Sequence, residues 1–190
     1  MIEKEYKVML TEKEYNKINV AFDWTQELVQ ANHYYLDANS ELRDSDITLR
    51  IRELGDKYFL QTKIRKECHG SLSIKEEQEL YVDSVYKKLP LEIEKQILGG
   101  KYKNICRVGK LVTLRKIMFI NECEICLDLN RYLSIVDYEL EIEFKSKQIP
   151  NDVICMFQDK FAISFRKEAI GKSSRFFKQF DKNKILRGLK

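Results

Sequence analysis

Residues that break or link structure are scarce in this chain: two prolines and seven glycines in 190 residues. That excludes a flexible linker, a low-complexity tract or a collagen-like segment. No apolar run approaches the roughly 20 residues that a membrane-spanning helix needs. The N-terminus opens on a charged segment and lacks the basic, apolar and small-residue regions of a secretory signal. The expectation is a cytoplasmic protein with no membrane partner. An excess of one charge is also missing, because 34 basic residues meet 30 acidic ones, for a net charge of +4. The two signs are interleaved along the chain, whereas a nucleic-acid binder concentrates Lys and Arg on one face, so no nucleic-acid partner is expected. There are only two histidines, His33 and His69, and five cysteines. An odd cysteine count without an export signal suggests reduced thiols. The spacing Cys123-x-x-Cys126 could suit a zinc pair or a redox dithiol, but its alternating surroundings read as a strand, which puts the two sulfurs on opposite faces. No second such pair follows and neither histidine is suitably spaced with it. The cysteines are therefore read as small buried apolar residues.

What the chain does have is alternation. With 44% hydrophobic and 34% charged residues, it fits one domain with a sizeable core over residues 1–190. In Glu3-Lys4-Glu5-Tyr6-Lys7, an extended backbone puts Glu3, Glu5 and Lys7 on one face, with Ile2, Tyr6, Val8 and Leu10 on the other. The pattern returns in Leu-Arg-Ile-Arg at 49–52, Lys-Glu-Glu-Gln-Glu at 75–79 and Glu-Leu-Glu-Ile-Glu at 139–143. Strands are predicted at about 2–10, 26–37, 46–54, 57–66, 71–82, 111–120, 122–130 and 134–145. Gly55-Asp56 marks a hairpin turn, and Ala38-Asn39-Ser40 and Asn121 mark others. Helices are predicted at about 12–21, opened by a Thr11/Glu14 capping box, and at 84–99, closed by Gly99-Gly100. One more follows Pro150, with Val153, Ile154, Met156, Phe157 and Phe161 at helical spacing, and the last begins near Lys172 and carries Phe176, Phe177 and Phe180.

Short connections make these strands mostly antiparallel, and eight of them can close into a barrel that has no edges but does have an inside. The fold class expected is therefore α+β, with helices on the outside. Each strand alone could simply show its polar face to water. Together the strands say more, because the helices need the apolar face, which turns the charged face inward. Strand parity then places Glu3, Glu5, Lys7, Arg50, Arg52, Lys63, Arg65, Glu77, Glu79, Arg115, Asp128, Glu139, Glu141 and Glu143 in the interior. Arg and Lys hold phosphate oxygens, and clustered carboxylates are stable together around hard cations such as Mg²⁺ or Mn²⁺. A polyphosphate with its metals satisfies both sets. Trp24, the single tryptophan, suits core packing better than stacking on a ligand ring.

Seven segments carry a family resemblance: the N-terminal ExExK, Asn32-His33-Tyr34-Tyr35-Leu36-Asp37, Leu49-Arg50-Ile51-Arg52, Leu60-Gln61-Thr62-Lys63, Leu127-Asp128-Leu129-Asn130, the 139–143 glutamates and Gly171-Lys172-Ser173-Ser174-Arg175. In this order they resemble the CYTH superfamily, the triphosphate tunnel metalloenzymes named after class IV adenylate cyclase and thiamine triphosphatase. The resemblance implies a closed eight-stranded tunnel that binds a triphosphate-containing small molecule with Mg²⁺ or Mn²⁺. It implies metal ligation by Glu3 and Glu5, with Glu77, Glu79, Asp128 and Glu139 placed less securely. Lys7, Arg50, Arg52, Lys63, Arg115, Lys172 and Arg175 would contact phosphate. Glu141 and Glu143 would hold a second metal or activate water beside Lys7, although 139 and 141 could serve as the pair instead. The activity implied is hydrolysis of the terminal phosphate of inorganic triphosphate, thiamine triphosphate or a nucleoside triphosphate. A class IV-type adenylate cyclase and a non-catalytic polyphosphate- or nucleotide-binding module are the alternatives. Homodimerisation stays open, since the helix 172 aromatics suit either a core or an interface.

Overall fold

A computed structural model describes residues 2–145, 148–165 and 170–186. Eight strands and five helices follow in the order β1 (Ile2–Leu10), α1 (Glu12–Asn19), β2 (Gln26–Leu36), α2 (Glu41–Asp44), β3 (Ile47–Leu54), β4 (Lys57–His69), β5 (Leu72–Val82), α3 (Leu91–Leu98), β6 (Cys106–Ile120), β7 (Cys123–Tyr132), β8 (Ile135–Phe144), α4 (Asn151–Phe161) and α5 (Lys172–Leu186). The sheet closes as β1-β5-β4-β3-β2-β6-β7-β8, with every pairing antiparallel. The last strand returns to the first through Glu5 opposite Glu143 and Lys7 opposite Glu141.

Alternation sorts the side chains as the sequence implies. Val8, Leu127, Leu140 and Ile142 face outward and pack with Tyr15 and Ile18 of α1 and Val153, Phe157 and Phe161 of α4. A fully buried ring such as Phe157 contributes about 1.5–3 kcal/mol. Trp24 joins this cluster and donates its indole N–H to the Asn19 carbonyl at 3.0 Å, so it is a packing residue. A second outer cluster puts Ile97 of α3 and Leu42 of α2 on Leu49, Ile51, Leu60 and Val82. The capping box forms as expected, with Thr11 Oγ1 accepting from the Glu14 N–H at 3.2 Å and Glu14 Oε2 from the Thr11 N–H at 2.7 Å.

Four expectations are corrected. The helix over 84–99 shrinks to Leu91–Leu98, because Pro90 at the N-cap disfavours a helical residue before it. β6 starts at Cys106, five residues before the expected 111, since Lys88 bridges to Cys106 and recruits the preceding segment. A short helix, α2, follows the 38–40 turn. Its N-terminal amides are held by the Asp37 carboxylate, which accepts from Asn39, Glu41 and Leu42 at 3.0, 3.0 and 2.9 Å. The cysteines are free thiols, but only Cys123 and Cys126 are buried, whereas Cys106 and Cys155 are exposed and Cys68 is half-buried. The Cys123 sulfur packs in the outer core, while Cys126 shares the interior parity of Asp128 and donates to Glu124 at 3.4 Å.

One end of the interior is filled from α5. Phe176 is fully buried among Tyr34, Leu111 and Tyr132, with ring centroids 4.7 Å from Tyr34 and 6.3 Å from Tyr132. Gly109 makes room for it: a Cβ there would lie 2.7 Å from Phe176 Cζ. Gly109→Ala should therefore cost about 1–3 kcal/mol of stability in urea unfolding, and a second change of Phe176→Leu should recover part of that loss.

Candidate active site

The strand order sorts the interior by charge. β8, β1 and β5 are contiguous and bring in Glu141, Glu143, Glu3, Glu5, Glu77 and Glu79, whereas β4, β3 and β6 bring in Lys63, Arg50, Arg52 and Arg115 around β2. The cavity they enclose is about 1240 Å³, and α5 adds Lys172 and Ser173 to its wall. Arg65 lines it as well.

On the acidic side Lys7 is clamped between Glu5 at 3.1 Å and Glu141 at 2.7 Å, and Lys75 also pairs with Glu5. Burial works against the Lys7 charge, but Glu141 and Glu5 outweigh it and raise its pKa well above the usual value. Lys63 bonds Glu3 at 2.7 Å and also meets Glu77. Burial would raise the Glu3 pKa, yet Lys63 holds it far below the ordinary range, while burial and the neighbouring Glu3 push Glu77 up. Glu143 is driven up to about 8 by burial and by the carboxylates of Glu141, Glu3 and Glu5, against the pull of Arg115. One oxygen each from Glu5, Glu141 and Glu143 falls within 4.8 Å of the others. Lys7, Lys75, Arg115 and Lys172 pair with these carboxylates, and the set of hard oxygen donors fits Mg²⁺ or Mn²⁺.

The basic side is strained in the opposite sense. Burial and the charges of Arg50 and Arg115 bring Arg52 down to about 10, and burial and Arg50 likewise lower Lys63. Arg50 donates Nε–H to Gln61 Oε1 at 2.8 Å, which leaves Nη2 buried with no partner among the described residues. Arg52 donates to Asn32 Oδ1 at 3.3 Å.

Three expected site residues sit behind the wall. Asp128 and Glu139 are fully buried and do not line the cavity. Asp128 takes a bidentate bond from Arg115, at 2.8 and 2.7 Å, and an ion pair from Lys172 at 2.7 Å. Glu139 pairs with Lys172 and, at 2.9 Å, with Arg175, which also holds Asp137. The Lys172 ammonium thus lies among Asp128, Glu139 and Glu141, a trio spaced like a cation site. Arg175 is engaged with these carboxylates and the Ile170 carbonyl instead of lining the cavity. Of the three glutamates on β8, it is 141 and 143 that reach the cavity.

A family profile for the CYTH domain matches residues 1–176. The chain belongs to the CYTH family. It is 31% identical over 185 residues to YjbK of Bacillus subtilis (strain 168), which bears the name of a triphosphatase, covering 94% of this chain and 95% of that one. Two solved CYTH-like folds superpose well. HpAC1 from Hippeastrum, named for adenylyl cyclase and described as having a dominant triphosphatase activity, gives a TM-score of 0.77 at 18% identity, over 93% of this chain and 95% of its own. A Bacillus halodurans protein named for adenylate cyclase gives 0.71 at 22% identity, over 91% and 96%. At these identities the two neighbours bear on the fold alone.

The sequence reading missed Lys75, Gln61, Asn32, Gln30 and Asp137. Lys75 and Asp137 share the interior parity of Glu77 and Glu139, so alternation alone could have found them. The three amides carry no charge, so the alternation of charges along the strands does not mark them.

Proposed function

We propose that this CYTH protein is a divalent-metal-dependent triphosphatase that releases the terminal phosphate of a linear triphosphate in the barrel interior. The observation that carries the reading is the divided cavity. Its basic half has Arg52 lowered to about 10 by burial and neighbouring cations, and its acidic half has Glu143 raised to about 8 by burial and neighbouring carboxylates. A polyanion on one side and a divalent cation on the other would relieve both strains at once.

Arg50, Arg52 and Lys63 would hold phosphate oxygens and stabilise charge on the transferred group, which supplies most of the catalysis in phosphoryl transfer. Glu3, Glu5, Glu141 and Glu143 would hold Mg²⁺ or Mn²⁺, which when bound neutralises phosphate oxygens and polarises the bond to be broken. Lys7, fixed between Glu5 and Glu141, keeps the acidic pair aimed at the cavity. Glu143 would orient the attacking water and, once its pKa of about 8 is lowered by a bound cation, take the proton on its carboxylate. The lining favours inorganic triphosphate over an organic ester. Trp24 is committed to the outer core, Phe144 and Phe177 are buried, and among the described lining residues Phe119 is the one exposed aromatic ring.

Phosphate release from tripolyphosphate, thiamine triphosphate and ATP, each with Mg²⁺ or Mn²⁺, tests the reading. The expected result is metal-dependent release that is fastest from tripolyphosphate and lost with EDTA. Cyclic AMP from ATP would point to the cyclase alternative, and binding without any turnover would point to a sensor module.

A further inference from the structure

β2 runs through the middle of the basic half and brings no charge to it. Its interior-facing positions include Gln30, Asn32 and Tyr34, each 3% exposed or less. Register sets Gln30 beside Thr113 of β6 and Leu54 of β3. Arg115 and Arg52 then sit two residues along those neighbouring strands, on the same interior face. Gln30 lines the cavity, and its Nε2 is buried without a hydrogen-bond partner among the described residues. A buried donor left unpaired is costly, and one on a cavity wall, unlike the unpaired Nδ2 of Asn32 or hydroxyl of Tyr34 that do not line it, can be satisfied by a group that enters the cavity.

We propose that Gln30 is a neutral hydrogen-bond donor to the bound triphosphate, filling the wall between Arg52 and Arg115. This rests on the triphosphate reading above and adds to it a residue that binds without charge. The choice of an amide follows from electrostatics. Arg52 already feels Arg50 and Arg115, so a further cation between them would add repulsion in the free protein. A carboxamide offers two N–H donors to phosphoryl oxygens at no such cost. Asn32, two residues along, acts differently, since its Oδ1 accepts from Arg52 and orients that guanidinium.

The test exploits the missing partner. Because Gln30 Nε2 bonds to nothing in the described protein, Gln30→Met should leave the thermal midpoint unchanged or raise it, yet weaken anion binding. Titration calorimetry of inorganic tripolyphosphate, with EDTA present to prevent turnover, should show Kd rising about tenfold or more in Gln30→Met. Gln30→Glu keeps the shape but presents a carboxylate to the phosphates, and should bind more weakly still. In steady-state assays with Mg²⁺, Gln30→Met should raise KM and leave kcat within about threefold. A Kd within twofold of wild type in Gln30→Met overturns the inference and leaves the triphosphate reading standing. So does an affinity loss that tracks a fall in the thermal midpoint. No binding heat from the wild type in EDTA leaves the KM comparison with Mg²⁺ to decide the inference, and no phosphate release with Mg²⁺ or Mn²⁺ as well overturns both.

Discussion

Replacing Glu5 by Gln, or Arg52 by Ala, should lower kcat/KM for tripolyphosphate by about 10²–10³ in each case. The two losses have different causes, and different measurements separate them. Glu5 is 2% exposed and contributes one of the three carboxylates whose oxygens gather within 4.8 Å. Glu5→Gln keeps the volume and removes one negative charge, so the concentration of Mg²⁺ or Mn²⁺ needed for half-maximal rate should rise. It also takes a counter-ion from Lys7 and Lys75, although Lys7 retains Glu141 at 2.7 Å. Arg52→Ala acts on the other half. Its guanidinium is held at about 10 by burial and by Arg50 and Arg115. Removing it relieves repulsion in the free protein, and the thermal midpoint should stay level or rise while turnover collapses. Activity within threefold of wild type in either variant would remove that residue from the site.

Most of the barrel could be read from alternation, because a period of two fixes which face every side chain of a strand occupies. Leu-Arg-Ile-Arg at 49–52 announces both the outer core, through Leu49 and Ile51, and the basic wall, through Arg50 and Arg52. What a strand does not announce is its neighbour around the ring. The separation of the cavity into an acidic and a basic half comes from β1 pairing with both β5 and β8, across more than 60 residues of sequence. For the same reason the roles of Glu139 and Asp128 could not be read. Their chemical type suits a metal, but Lys172, over 30 residues later, supplies the cation they hold. The segment before α3 failed for a local reason, since apolar spacing suggested a helix where Pro90 delays its start. Gln30 was missed because a neutral side chain among charges gives no pattern of its own.

Lys172→Met should destabilise the protein by about 3–5 kcal/mol, the usual consequence of removing one partner from a buried ion cluster. The ammonium is buried among Asp128, at 2.7 Å, Glu141, at 2.9 Å, and Glu139. It also stands on the first residue of α5, where the helix dipole repels a cation, so those carboxylates are what hold the helix end against the barrel. Phe176 and Phe177 follow on the same helix, and loosening its start should loosen the aromatic plug as well. The pH dependence identifies the cause. Burial would raise the Glu139 pKa, but Lys172, Lys7 and Arg175 hold it down at about 2, below the unfolded value of about 4.3. A carboxyl depressed in the folded state stabilises the protein above its unfolded pKa, and that stabilisation fades as pH falls toward the folded value. Without Lys172 the largest attraction on Glu139 is gone, its folded pKa rises, and the stabilisation is already missing at neutrality. The gap between wild type and Lys172→Met in urea unfolding should therefore be widest near pH 7 and should narrow from about pH 5 toward pH 2. A constant gap across that window would mean that Met costs stability through packing alone. A gap under about 1 kcal/mol at pH 7 would mean that Asp128, Glu139 and Glu141 find their counter-charge elsewhere.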